Sequence, residues 1–261
     1  MKFENSAEKF AEAGSRALGA LISKFKDVKN VSYNCFTKLY NACVATVLDN
    51  ASEIWGFTKS SACEKIQYRA IRYFLGVHRF CPIPAMTGDM GWPECRQRRM
   101  INMIRFWNRL VKLNDDRLTK RVFLWDYEIN HNNWSSEIQN ILEICNELHA
   151  FYSMSEVSLE TIGSKLSTYY AQLWSEKCCS LPKLRTYILF KSEFKCEQYV
   201  TLFMSRKERS LIAQLRTGIL PIRIENGRFH NVKDSVTGKM RKLKAEERLC
   251  QLCNSDNVEK E

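Results

Sequence analysis

Residues 94–112 read ECRQRRMINMIRFWNRLVK. Met100, Met103, Ile104, Trp107, Leu110 and Val111 recur at three- and four-residue intervals, the period of one face of an α-helix. Arg98, Arg105, Arg109 and Lys112 fall at i, i+7, i+11 and i+14, so they share a second stripe. The segment therefore predicts a helix with an apolar core face and a cationic face.

The same period extends in both directions. Over 5–27 it places Phe10, Leu18, Leu21, Ile22 and Phe25 together, and over 32–49 Phe36, Leu39, Tyr40, Cys43, Val44, Val47 and Leu48. Ser61 to Glu64 has capping-box spacing and opens a helix with Ile66, Ala70, Ile71 and Phe74 inward, stopped at Gly76. Cys81-Pro82-Ile83-Pro84 interrupts the chain, and Gly91-Trp92-Pro93 closes a short segment. Helical stripes resume over 118–130, over 134–151 with Ile138, Ile141, Leu142, Cys145 and Leu148 inward, and over 159–177. The last carries Ile162, Leu166, Tyr169, Tyr170, Leu173 and Trp174.

After Leu181-Pro182 the texture changes. Residues 187–190 and 199–203 are short and apolar, and fit strand or helix. Residues 206–216 read as a basic helix with Leu211, Ile212 and Leu215 inward, and 218–248 as loop or weak hairpin. The expected fold is mainly α, a multi-helix bundle with a less regular C-terminal tail.

Composition agrees. The 261 residues are 45% hydrophobic, enough for a core, and contain only 10 Gly and 5 Pro, too few turn-formers for a many-stranded sandwich. No run of 18 apolar residues occurs, so no membrane span is expected. The charged start lacks the apolar core of a signal peptide, so the 11 cysteines are expected as thiols in a reducing intracellular compartment, nucleus or cytoplasm.

The net charge of +11 is unevenly spread. Residues 94–125 hold 9 basic and 3 acidic side chains, 126–182 hold 2 and 8, and 183–261 hold 17 and 10. Two basic blocks flanking an acidic one suit a polyanion partner, because cations that neutralise phosphates release counterions. The stripe Arg98, Arg105, Arg109 and Lys112 is one candidate surface for nucleic acid; Arg206, Lys207, Arg209 and Arg216 form a second.

Chemistry-bearing motifs are sparse. His78, His131, His149 and His230 have no partners at metal-ligand or triad spacing, and no phosphate-binding glycine loop occurs. Asp115-Asp116 falls at a helix junction, where turn formation explains it. Cys250-Gln251-Leu252-Cys253 presents two thiolates, half of a structural zinc site. No catalytic residue and no cofactor is expected, and zinc only if the missing ligands are supplied.

An ordered set of segments carries a resemblance. AEAGSRALGA at 11–20, FTKLYN at 36–41, IWGF at 54–57, RAIRYFLGV at 69–77 and GDMGW at 88–92 come first. KLRTY at 183–187, SRKERSLIAQLRTG at 205–218, ENGR at 225–228 and ERLCQLC at 247–253 follow. Their order and spacing resemble the C-terminal portion of non-LTR (LINE-type, jockey-like) retrotransposon reverse transcriptases, over roughly residues 6–259. The resemblance implies a thumb-like helical region over 1–80, a helical connection over 81–182 and a basic C-terminal region over 183–261. It also implies that the palm, with its metal-binding aspartates, precedes this chain, so the expected role is to hold an RNA or DNA template–primer duplex without catalysis. Cys250 and Cys253 match the first half of the family's zinc-knuckle-like element. The alternative is a helical structural or interaction protein, a host-adopted or decayed retroelement remnant, with no nucleic-acid role.

Overall fold

The computed structural model describes residues 4–26, 28, 30–57, 60–220, 231–234 and 237–242; Cys250, Cys253 and His230 lie outside these. The amphipathic segments are helices, and the fold is mainly α. Helix α1 (Glu4–Phe25) is followed by α2 (Tyr33–Tyr40), which runs through a π turn at Asn41–Ala45 into α3 (Thr46–Leu48). Then come α4 (Ser52–Trp55), α5 (Ser61–Leu75), α6 (Ile83–Met90), α7 (Cys95–Val111) and α8 (Leu118–Ile129). Helices α9 (Trp134–Ile144), α10 (Leu148–Tyr152) and α11 (Leu159–Ser180) complete the middle of the chain. The short apolar segments beyond it are helices, α12 (Tyr187–Phe190) and α13 (Gln198–Thr201), and α14 (Arg206–Arg216) follows. Strands β1 (Asn231–Lys233) and β2 (Met240–Lys242) pair antiparallel as a small hairpin.

Helix ends follow local chemistry. Gly76 and Gly91 close α5 and α6 with φ of 70° and 62°, a backbone region that costs glycine nothing. The box expected at Ser61 is absent. Ser60 caps α5 instead, its hydroxyl accepting from the Ala62 N–H at 3.3 Å. Ser61 is already helical and cannot cap its own helix, and Glu64 turns away to accept from the Arg96 N–H at 3.2 Å, an orphan donor in the first turn of α7. The helix expected over 134–151 breaks between α9 and α10, where Asn146 takes φ 52°.

Two main cores result. In the first, Phe36 lies 4.8 Å from Phe74 and 6.0 Å from Trp92, both stacked, while Tyr40 meets Trp92 at 4.5 Å. In the second, Trp107 stacks on Phe151 at 5.6 Å and takes Phe123 edge-on at 5.5 Å. Phe36, Val44, Ile71, Phe74, Ile104, Trp107 and Leu142 are buried as the stripes predict, and Leu173 is partly so. Residues after 182 return to the body, with Val200, Ala213 and Ile219 joining the first core. Helix α14 presents a different face from the one expected: Arg209 and Ala213 are inward while Leu211 and Leu215 are 50% and 66% exposed. Helix α8 leaves Leu118, Val122, Trp125 and Ile129 exposed, at i, i+4, i+7 and i+11. Among the described residues no helix is long and apolar enough to cross a membrane.

The nine described cysteines are unbridged and divide by burial. Burial pushes the Cys81 and Cys145 thiols up to about 11, and the thiolate is the reactive form. Iodoacetamide on the native protein at pH 7.5 should therefore modify the exposed Cys35, Cys43 and Cys179, leaving Cys63, Cys81, Cys95 and Cys145 intact until urea unfolds the chain. Peptide mass mapping before and after unfolding checks this; rapid native labelling of Cys95 or Cys145 would contradict the packing. Trp107→Ala should cost about 3–5 kcal/mol in urea unfolding, as for other large core aromatics.

Candidate nucleic-acid interface

The cationic stripe expected on α7 divides in two, because the N-terminal half of this helix is enclosed by α4, α5 and α11. There Arg98 donates from Nε to Asp49 Oδ2 at 2.9 Å and from a terminal nitrogen to Gln67 Oε1 at 2.8 Å. Arg99, 2% exposed, donates to the other oxygen, Asp49 Oδ1, at 3.0 Å and lies 4.5 Å over the Trp55 ring. Gly56 permits this approach, since a Cβ there would lie 3.0 Å from the Arg99 Cβ and 2.3 Å from the Ser52 carbonyl oxygen. Arg98 is thus committed to Asp49 and is not part of an open cationic face.

The C-terminal half buries one face in the second core, with Trp107 and Leu110 inward, and turns the other outward. Arg105 is exposed and donates to Asn102 Oδ1 at 2.8 Å; Arg109 is exposed and lies 4.7 Å over the Phe106 ring. These four side chains and Glu53 line a shallow cleft of about 440 Å³. No carboxylate among the described residues pairs with Arg105 or Arg109. Lys112 is exposed but pairs with Glu156, drawn from the acidic 126–182 segment. Arg96 makes a similar pair with Glu137 at 2.7 Å. Past the turn holding the exposed Asp115 and Asp116, Arg117 and Arg121 are exposed, whereas Lys120 is buried and donates to the carbonyls of Leu110 and Val111 at 3.1 and 3.0 Å. That contact caps α7.

The second basic group also splits. Arg206 and Lys207 are exposed at the start of α14, with Arg206 4.4 Å over the Tyr73 ring. Arg209 is buried against the first core. Arg216 turns inward to Asp89, a fully buried carboxylate, at 3.1 and 3.2 Å, and to Glu197 at 3.0 Å. The Tyr187 and Tyr199 hydroxyls donate to the same Asp89 at 2.9 and 2.7 Å. Burial first, then the Asp89 charge, pushes both phenols well above their ordinary range. Arg216 and Arg209 therefore leave the exposed set.

The geometry brings Arg105 and Arg109 together with Asn102 and Phe106, two neighbours the stripe alone did not single out. A side-chain amide and a ring between two arginines can take a phosphate oxygen and a base or sugar face. Their i, i+3, i+4 and i+7 spacing was the available signal. Among the described residues no three His, Cys, Asp or Glu converge as a metal site. Comparison with protein-family models, with curated proteins and with solved structures gives no match.

The two kinds of ion pair should behave differently on mutation. Asp49→Ala leaves Arg98 and Arg99 uncompensated in the interior and should cost about 3–5 kcal/mol in urea unfolding. Lys112→Ala breaks an exposed pair and should cost less than about 1 kcal/mol. Equal small effects would show that the Asp49 fork does not hold α7 in place.

Proposed function

We propose that this chain is a nucleic-acid-binding C-terminal region of a non-LTR retrotransposon reverse transcriptase, one that holds a template–primer duplex and is not itself catalytic. The observation that carries the reading is the exposed pair Arg105 and Arg109 on the outward face of α7, without an ion-pair partner among the described residues and set around Phe106 in an open cleft. Exposed Arg117 and Arg121 beyond the turn, and Arg206 and Lys207 on α14, add cations that backbone binding uses. The ordered resemblance over roughly residues 6–259 supplies the polymerase context. Cys250 and Cys253 would contribute thiolates to zinc only with ligands from elsewhere.

A second reading also has an observation behind it. The pairs Arg96–Glu137 and Lys112–Glu156 neutralise basic residues within the chain, and α8 offers the exposed stripe Leu118, Val122, Trp125 and Ile129. A helical interaction protein would use that apolar face and not the arginines.

Salt titration separates the two. Duplex affinity should fall with salt and depend little on sequence, and Arg105→Gln/Arg109→Gln should lower the slope of log K against log salt by about two units. Helicity should persist, as glutamine is a good helix former. Unchanged affinity and slope in the folded variant would favour the interaction protein. Primer extension on poly(rA) with Mg²⁺ or Mn²⁺ should give no product, because phosphoryl transfer needs carboxylates converging on metal; sustained extension would overturn the non-catalytic assignment.

A further inference from the structure

A buried or half-buried cation ordinarily rests against a carboxylate, because its desolvated charge is otherwise costly. The chain obeys this at Arg99 with Asp49, at Arg216 with Asp89 and Glu197, and at Lys191 with Glu197. Arg209 does not. It is 4% exposed, donates from Nε to the Phe74 carbonyl at 2.9 Å and from a terminal nitrogen to the Val31 carbonyl at 3.5 Å, and lies 3.9 Å over the Phe74 ring. No carboxylate among the described residues pairs with it. Burial, then the neighbouring Arg206 charge, lowers its pKa.

Arg209 borders a cavity of about 220 Å³ where the end of α1, the segment before α2, the end of α5 and the start of α14 meet. Lys26 and Arg206 line the same cavity, with Phe25, Phe36 and Tyr73 among its aromatic walls, and among the described residues no acidic side chain does. The last turn of α5 supplies the Phe74 carbonyl, and a helix end carries only about half a negative charge. Lys120 also sits on a helix end; here, in addition, Lys26 and Arg206 line the cavity that Arg209 borders. An anion would complement this group of cations.

We propose that this cavity is a binding site for a phosphate monoester, held by Lys26, Arg206 and Arg209. A monoester is close to dianionic at neutral pH and offers three acceptor oxygens, a match for two guanidinium forks and an ammonium. Arg209 lies deep, so a group at a chain end or on a small molecule reaches it more readily than a continuous phosphodiester backbone. The cavity is separate from the α7 cleft, and the site does not depend on the nucleic-acid reading. Its phosphate comes either from a 5′-phosphorylated strand end or from a free phosphate compound.

The test uses the full chain. Millimolar inorganic phosphate, at ionic strength held constant with chloride, should raise Tm in a saturable way. Lys26→Gln/Arg206→Gln should weaken phosphate binding by about tenfold or more. Both side chains are exposed, so Tm without phosphate should stay unchanged; if it falls, Arg206→Gln alone serves. Oligonucleotides of one sequence bearing 5′-phosphate or 5′-hydroxyl then identify the source. Preference for the phosphorylated end, lost in the variant, assigns the site to strand ends; a phosphate response without that preference assigns it to a small phosphate compound. Absence of both a saturable phosphate response and a 5′-phosphate preference overturns the site, even if duplex still binds through Arg105 and Arg109. So does a folded variant that responds as the wild type does.

Discussion

The two oxygens of Asp49 hold two consecutive arginines, Arg98 and Arg99, and this fork fixes α7 against the end of α3. Adjacent helix residues point about 100° apart. One carboxylate gripping both therefore sets the rotation of α7 about its axis as well as its distance from the body. Everything beyond depends on that rotation. It directs Met103 and Trp107 into the second core and leaves Arg105 and Arg109 facing outward. Charge, which composition presents as a property of the surface, here acts as an internal fastener.

A second buried acid does the same for the end of the chain. Asp89 on α6 gathers Tyr187, Tyr199 and Arg216, so that residues far apart in sequence converge on one carboxylate. Three of the eight cations assigned to binding surfaces, Arg98, Arg209 and Arg216, serve the interior, and Lys112 meets the acidic segment at Glu156. The positive field that reaches solvent on α7 is smaller than the arginine count implies, and it is concentrated at Arg105 and Arg109, opposite the face that enters the second core.

Helical periodicity made the elements legible, because apolar side chains three and four apart must share a face. It did not say which faces another element would cover. On α14 the period groups Leu211 with Leu215 correctly, yet that pair is exposed and Arg209 is inside, since Phe74 and Val31 offer carbonyls there. Arg98 shares a stripe with Arg105, but Asp49 and Gln67 reach Arg98, whereas Arg105 bonds to Asn102 on its own helix. The Asp89 cluster joins residues about a hundred positions apart and leaves no periodic trace. Ser205 and Glu208 do form a capping box, a spacing readable in the sequence. The Ser61 spacing had the same form and failed, because the helix starts one residue earlier and a tertiary contact claims its glutamate.

The π turn at Asn41–Ala45 accounts for one further misfit, the exposure of Cys43 on a stripe that should bury it. Buried positions run Phe36, Tyr40, Val44, then Ala45 and Leu48. A π turn accommodates one residue more than an α-helical turn over the same length. The helix thus carries a surplus residue, and the downstream face is displaced by one position relative to the upstream one. Asp49, which must meet α7, lies downstream of that displacement. The register of a single turn therefore determines whether the carboxylate arrives opposite its arginines, and loss of one residue there would rotate Asp49 by roughly a quarter turn.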